Sequence, residues 1–442
     1  MAARQLAPTY AITVVCAGSS LPTSLYGAYA REYALSPLAL TALFAVYVAA
    51  VIPTMLVCGS LSDSWGRRRV AVCGLGLSAL GSILFACAPG GEALYGARLL
   101  QGTAAGLITG AATAALADAA HGAERGPLPS GGPGPQPSPR GRAVGSAAAL
   151  ASLGISIGSA GGPMLSGLIA AVLPAPLIVP YLTHLGLLLP AVLLRWPAPA
   201  QACGARWRPR RPAIPHVVRR AFALASLTIV FSWSLLGLFL SLAPSLAERL
   251  GRTTSTAMGG GVVALMLVTS ALAQMHAGRL APVRAKVLGL CTMAAGLALL
   301  AGAVGARSLP LLVVAAVAAG AGQGTGFTGA LAGLTAVTPA PIRGEVFSAA
   351  YVVGYFSLSV PVLGVGALAE QVGLLSAVAW FASLATVGAL GAVPVVHLAG
   401  RATEGDGDRS RDGIGGGRSP AVSGVPPTYP PHNEEGRPAG TP

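Results

Sequence analysis

About twelve apolar runs, each close to the length that crosses a lipid bilayer, follow one another along this chain of 442 residues. They fall near 9–30, 38–58, 70–89, 93–118, 143–173, 177–195, 221–247, 256–276, 286–306, 309–337, 344–369 and 373–397. A helix of roughly 20 apolar residues spans the hydrocarbon core. No water is present there to pair with the backbone, so such runs are expected to fold as helices. Composition agrees: 53% of residues are hydrophobic and 10% charged, against about 25% charged in a soluble domain. The fold class expected is an all-α integral membrane protein of about twelve transmembrane helices.

The formal net charge of +14 would point to nucleic acid in a soluble protein. Here the basic residues follow the loops, and no nucleic-acid partner is expected. With the N-terminus inside, 23 of the 28 basic residues lie on that side, including Arg67, Arg68, Arg69, Arg219 and Arg343. Only Arg31, Arg249, Arg252 and Arg307 fall outside, and Arg98 lies in a helix. The positive-inside rule then places both termini in the cytoplasm. Arg4 before an apolar run gives the first segment a signal-peptide flavour, but a retained helix suits the even count better. Richness in Ala, Gly, Pro and Arg, with one lysine, suggests a GC-rich genome and a bacterial plasma membrane. The six cysteines are scattered and show neither metal-ligand nor disulfide spacing. No metal and no cofactor is expected.

Composition divides the chain into four parts. Residues 1–195 form a first six-helix bundle with a Pro/Gly-rich insertion at 121–142. Residues 196–220 are a basic, Pro-rich cytoplasmic linker, and 221–400 a second six-helix bundle. Residues 401–442, rich in Gly, Pro, Ser and charge, are expected to be a disordered cytoplasmic tail. The halves read as repeats. Gly59, Leu61 and Arg67 recur as Gly278, Leu280 and Lys286 at offsets near 219, and Arg142 recurs as Arg343 at 201. The difference of 18 is about the length of the insertion, so one duplication and one loop insertion account for both. A six-plus-six repeat is a transporter architecture, with its site between the halves near the membrane midplane.

The loop after the second run reads Gly59-Ser-Leu-Ser-Asp63-Ser-Trp-Gly66-Arg67-Arg68-Arg69. Its glycines permit a tight turn, and Asp63 stands among arginines. This loop resembles motif A of the major facilitator superfamily, at the position where that family carries it. Ser64 stands where the family usually has a basic residue, and the second copy has Pro282 in place of the acid. The run Arg98-Leu-Leu-Gln101-Gly102 resembles the family's motif B. Gly158-Ser-Ala-Gly-Gly162-Pro163-Met-Leu-Ser166-Gly167 resembles motif C, with Ser166 in place of a glycine. The resemblance covers roughly residues 8–398. It implies two pseudo-symmetric six-helix bundles in the major facilitator fold. It also implies gating by Gly59, Asp63, Gly66, Arg67 and Arg68, and coupling or substrate handling by Arg98. Motif C is associated with antiporters in the family.

An arginine within a membrane helix costs about 3 kcal/mol on insertion scales and needs a partner or water. Counting 1.5 Å per residue from Glu92 puts Arg98 roughly 9 Å below the outer surface. Gln101 lies one turn deeper on the same face, and Glu32 is the nearest acidic candidate. In the family, helices 1, 4, 7 and 10 line the cavity, which makes Tyr26, Trp233 and Gln323 lining candidates. Tyr351 and Tyr355 lie at similar depth. All 14 acidic residues fall in loops, helix ends or the tail, so proton coupling would rest on Glu32, Asp63, Asp118, Glu345 or a histidine.

Two strings imitate enzyme motifs. Gly154-Ile-Ser156-Ile-Gly158 matches a nucleophile elbow and Gly324-Thr-Gly326-Phe-Thr-Gly329 a dinucleotide fingerprint. Both sit inside apolar helical runs without the strand that either motif requires. The chain is therefore read as no enzyme. The expected function is secondary active transport of a small organic molecule by a monomer in the bilayer, with proton-coupled efflux of a drug or metabolite. Uptake or facilitated passage of a sugar or organic acid is the alternative. A non-transporting membrane sensor or scaffold is the reading from another class.

Overall fold

The computed structural model describes residues 3–58, 65–123, 139–194, 214–339 and 342–415. Among them are twelve α-helices, one 3-10 turn at His216–Val218 and no strand. The first half carries α1 (Ala3–Glu32), α2 (Pro37–Cys58), α3 (Arg67–Ala86), α4 (Gly91–Ala123), α5 (Pro139–Val172) and α6 (Val179–Leu193). The second carries α7 (Arg219–Gly251), α8 (Thr256–Ala277), α9 (Pro282–Gly305), α10 (Leu309–Val337), α11 (Arg343–Val372) and α12 (Leu374–Gly415). The described residues up to 401 form one compact unit, and 402–415 belong to a second. The central part of the insertion and most of the linker lie outside the described residues.

Ten of the twelve are long and apolar enough to cross a membrane. The other two fall short for different reasons. The apolar helix α6 has only 15 residues. Helix α1 has 30, but hydroxyls interrupt its apolar sequence. Those hydroxyls are satisfied one turn back along the same helix. Thr9 donates to the Gln5 carbonyl, Thr13 to Thr9, Ser19 to Val15 and Ser20 to Cys16, at 2.8–2.9 Å. Helix α1 can hold them because it is central. It packs on α4, α5 and α6 within its own bundle and on α7 and α8 across the seam. Its side chains therefore face protein more than lipid, and Ile12, Val15, Leu25, Tyr26 and Tyr29 have no exposed surface.

Lipid tails are as apolar as leucine, so helix association rests on close van der Waals approach through small residues. The motif-C stretch of α5 shows this directly. A methyl group on Gly158 would overlap the carbonyl of Thr13, and one on Gly162 would overlap that of Ala17, both on α1. Ser166, the departure from the family pattern, adds hydrogen bonds to the same contact. Its Oγ donates to the Leu21 carbonyl of α1 at 2.8 Å and meets Ser24 Oγ at 2.6 Å. The same stretch reaches across the seam, where Gly260 of α8 lies against the Pro163 carbonyl and Gly167 against Thr256. The two enzyme-like strings also resolve into packing. Gly154 abuts Thr13 and Thr9 of α1, Gly324 abuts Ser270 of α8, and Gly289 of α9 abuts Gly326.

A clear contrast follows within α5. Overpacking a close contact costs about 1–3 kcal/mol. Gly158→Leu should lower the thermal unfolding midpoint of the purified protein by several degrees. Gly161→Ala should leave it unchanged, because a Cβ there meets nothing within 4 Å. Fluorescence-monitored melting in detergent checks both.

Candidate functional site

Arg98 sits on α4 with 1% of its surface exposed. One Nη donates to the Ser19 carbonyl of α1 at 2.7 Å and to Gln101 Oε1 at 3.2 Å. The other donates to the hydroxyl of Tyr26. The guanidinium lies over three rings, with its carbon 5.4 Å from the centroid of Tyr26, 5.6 Å from Tyr47 and 5.9 Å from Phe85. Cation–π contacts of this kind strengthen when desolvated. Gln101 in turn donates to the Gly18 carbonyl at 2.9 Å. The cluster thus ties α4 to α1 and α2, and it is wholly neutral apart from the arginine.

The expected pairing with Glu32 is not what the structure shows. Arg98 makes no ion pair among the described residues, and Glu32 is exposed at the end of α1. Carbonyls and ring faces hold the cation instead. Nor is Arg98 the one buried base: Lys286, assigned from sequence to a cytoplasmic loop, is 5% exposed within α9. Its ammonium end lies beside Gly333 of α10.

Across the seam, α7, α10 and α11 build an aromatic cluster. Trp233 lies 5.0 Å from Tyr355, 5.7 Å from Phe327 and 6.1 Å from Tyr351, ring centre to ring centre, in tilted and edge-on geometry. Gly354 makes room for the indole, since a methyl there would press on it. Tyr355 packs on the same apolar cluster as Tyr47, Cys16 and Met55 of the first bundle, so the rings join the two halves. Gln323 of α10 is buried and accepts from Ser270 of α8, whose hydroxyl also accepts from Gln274 at 3.2 Å. Tyr26, Trp233, Tyr351 and Tyr355 therefore lie in or beside one continuous apolar cluster, while Gln323 is buried on α10 against Ser270 of α8.

His184 belongs elsewhere. It has no exposed surface, and its Nδ1 pairs with Ser82 Oγ of α3 at 2.7 Å while Nε2 meets the Val14 carbonyl at 3.1 Å. Both ring nitrogens are used in holding α6 to α3 and α1. At motif A, Gly66 has φ of 92°, a backbone that favours glycine. Arg67 donates to the Ala114 carbonyl of α4, and Arg68 is exposed. Gly59 and Asp63 lie outside the described residues.

The seam is latched at the end that carries the α1–α2 and α7–α8 turns. Arg31 of α1 meets Glu248 of α7 at 2.5 Å. Ser36, before α2, donates to Glu370 of α11 at 2.6 Å, and Thr256 of α8 donates to the Gly167 carbonyl of α5 at 3.2 Å. Glu248 is 8% exposed and Arg31 47%. The second carboxylate oxygen of Glu248 is buried without a hydrogen-bond partner among the described residues. A crevice of about 280 Å³ adjoins the pair, lined by Gly27, Arg31, Pro37, Ser245, Glu248 and Arg249. Sequence reasoning passes over Glu248 as one more helix-end acid. A signal is present, because each half ends its first helix on a charged doublet, Arg31-Glu32 and Glu248-Arg249, in opposite order.

The comparisons with known proteins agree with this architecture. The chain belongs to the Major Facilitator Superfamily, whose family model matches residues 9–284. It is similar in fold to a bacterial homologue of the human lysosomal transporter Spinster in an inward-facing, unoccupied conformation. That match has 14% identity, a TM-score of 0.67, and covers 90% of this chain and 96% of the other. It also resembles the POT family transporter PepTSo, at 12% identity and TM-score 0.66, over 90% of this chain and 98% of that one. A mutant of the peptide transporter POT gives 13% identity and TM-score 0.69, over 90% and 95%. No curated protein sequence matches the chain. At such identities these solved structures establish the fold. The class of protein is a membrane transporter.

The latch makes its own prediction. Glu248→Gln keeps the shape and removes the charge that holds Arg31. A cysteine placed at Thr41, buried on α2 against Gly366 of α11, should then react several-fold faster with a membrane-impermeant maleimide. The background is a chain with its own six cysteines replaced. Equal rates in both proteins would mean that the ion pair does not hold the seam.

Proposed function

We propose that this chain exports a small organic molecule across a bacterial plasma membrane by alternating access, in exchange for protons. In this reading the first and second six-helix bundles, 1–195 and 221–400, rock against each other about the seam. Both termini lie in the cytoplasm, and the latched end faces outward, as the distribution of arginines favours. The protein works as a monomer. The observation that carries the reading is the character of the seam. It is closed at one end by an ion pair and hydrogen bonds, beside an apolar cluster to which both bundles contribute.

Export is favoured by the motif-C stretch, which joins α1 to α5 and then reaches α8 across the seam. Packing alone explains those contacts, so the direction rests on the likeness to antiporters. The coupling group we assign is Glu248 rather than Glu32. Of the acidic side chains described, it is the buried one, and it faces Arg31 across the moving boundary. Loss of the carboxylate's charge would release Arg31 and free the outer end to open, and its return would restore the latch. Asp63, with Arg67, would set the opposite gate in the manner of motif A, and Arg98 would hold the solute.

Inverted vesicles with a pH-sensitive dye test this. A panel of drugs and metabolites is added singly to an established gradient, and a transported compound should collapse it. Glu248→Gln should abolish the proton signal while labelled solute still equilibrates. Asp63→Asn and Arg98→Ala should abolish solute movement itself. Solute equilibration without any proton signal in the parent protein would replace antiport with facilitated passage.

A further inference from the structure

The two halves of the candidate site share a chemical peculiarity. Arg98 keeps its Nε–H buried with no hydrogen-bond partner among the described residues, and so does the indole N–H of Trp233. Each is at least nine-tenths buried, at 1% and 9% exposure. An unmade hydrogen bond at such depth leaves a desolvated donor unsatisfied, so each one calls for an explanation. Rings connect the two donors. Tyr47 touches the Arg98 guanidinium, Tyr47 and Tyr355 pack on one apolar cluster, and Tyr355 lies 5.0 Å from Trp233. Both unpaired groups are donors, one of them is charged, and aromatic faces lie between them.

The charge around this site is one-sided. Every partner of Arg98 is a neutral acceptor: the Ser19 carbonyl, Tyr26 and Gln101. The buried carboxylate of Glu248 is engaged by Arg31 at the latched end. A cationic solute would meet the guanidinium with no counter-charge beside it. A carboxylate would supply what the site lacks, a charged acceptor for the donors of Arg98, and attraction between charges is strong where water is excluded. A flat apolar body would find ring faces and edges on both bundles.

We infer that the solute is an aromatic or similarly planar organic anion, its carboxylate taken by Arg98 and its ring by the Tyr47–Tyr355–Trp233 cluster. The inference rests on the transporter reading and narrows it to a substrate class. A negative charge also gives export a further drive, since the outward path of an anion runs down the membrane potential.

Three probes with one ring system test it: 1-naphthoate, 1-naphthalenemethanol and 1-naphthylmethylammonium, tritiated, with the full-length protein in liposomes. Equilibrium binding should favour naphthoate over the neutral alcohol by at least tenfold, and the ammonium compound should bind weakest. Arg98→Gln should erase the preference for charge. Trp233→Phe, which loses the N–H and part of the indole's area, should weaken all three probes several-fold and keep their order, since all share the ring that the aromatic cluster holds. The order seen in the parent protein needs no variant, so a misfolded Arg98→Gln would leave the test intact. Equal or tighter binding of the ammonium compound, or no binding by any probe, would overturn the substrate class. Counterflow in the same liposomes separates the two levels. Naphthoate that binds with the expected order but never exchanges across the membrane would leave the class standing and remove the transport reading. A cation that exchanges while naphthoate does not would do the reverse.

Discussion

A guanidinium with 1% exposure inside a membrane bundle has to be held by its own protein, and much of the first half is arranged to hold Arg98. The group cannot shed its proton, so burial cannot be relieved by neutralisation. A carboxylate partner would relieve it, but the structure uses softer means: one backbone carbonyl, one amide, one phenol and three ring faces. Those requirements reach outward. Ser19 and Tyr26 fix the face that α1 turns to α4, and Tyr47 fixes α2. Gly102, whose added methyl would strike the Tyr47 carbonyl, sets how near α2 and α4 can come.

Within each bundle and across the seam, glycines against backbone and apolar side chains hold the helices together. Between bundles, at the end of the α1–α2 turn, polar contacts take over: Arg31 with Glu248, Ser36 with Glu370, Thr256 with the Gly167 carbonyl. Glu248 is buried while Arg31 is half-exposed, so this pair stands at the border of protein and solvent.

How far the sequence reveals this depends on the kind of interaction. Helix number and order follow from the apolar runs, because the bilayer imposes their length. Motif B draws attention to Arg98 and Gln101, and depth along the chain brings Tyr26, Trp233, Tyr351 and Tyr355 into consideration. Pairings are harder. Glu32 is the obvious acid for Arg98 by linear position. The actual partners are a carbonyl and ring faces, which carry no charge signal in a sequence. Glu248 and Lys286 count as peripheral in the sequence because they stand near helix ends. Only the packing of α7 against α1, and of α9 against α10, buries them. His184 is open to several roles from sequence, and its two hydrogen bonds give it a structural one.

Alternating access requires the two bundles to move as bodies about a seam that closes at one end when the other opens. Pulsed electron-spin distance measurement in lipid tests that requirement without a substrate. Spin labels go on Glu32 and Arg252 at the latched end, and on Arg69 and Arg284 at the opposite end, all exposed positions. Two distance populations are predicted at each end, with the longer one gaining at the latched end as the shorter one gains at the other. Glu248→Gln should shift both together. A single unchanged distance at each end, in the parent protein and the variant alike, would contradict alternating access and return the chain to the reading of a static membrane scaffold.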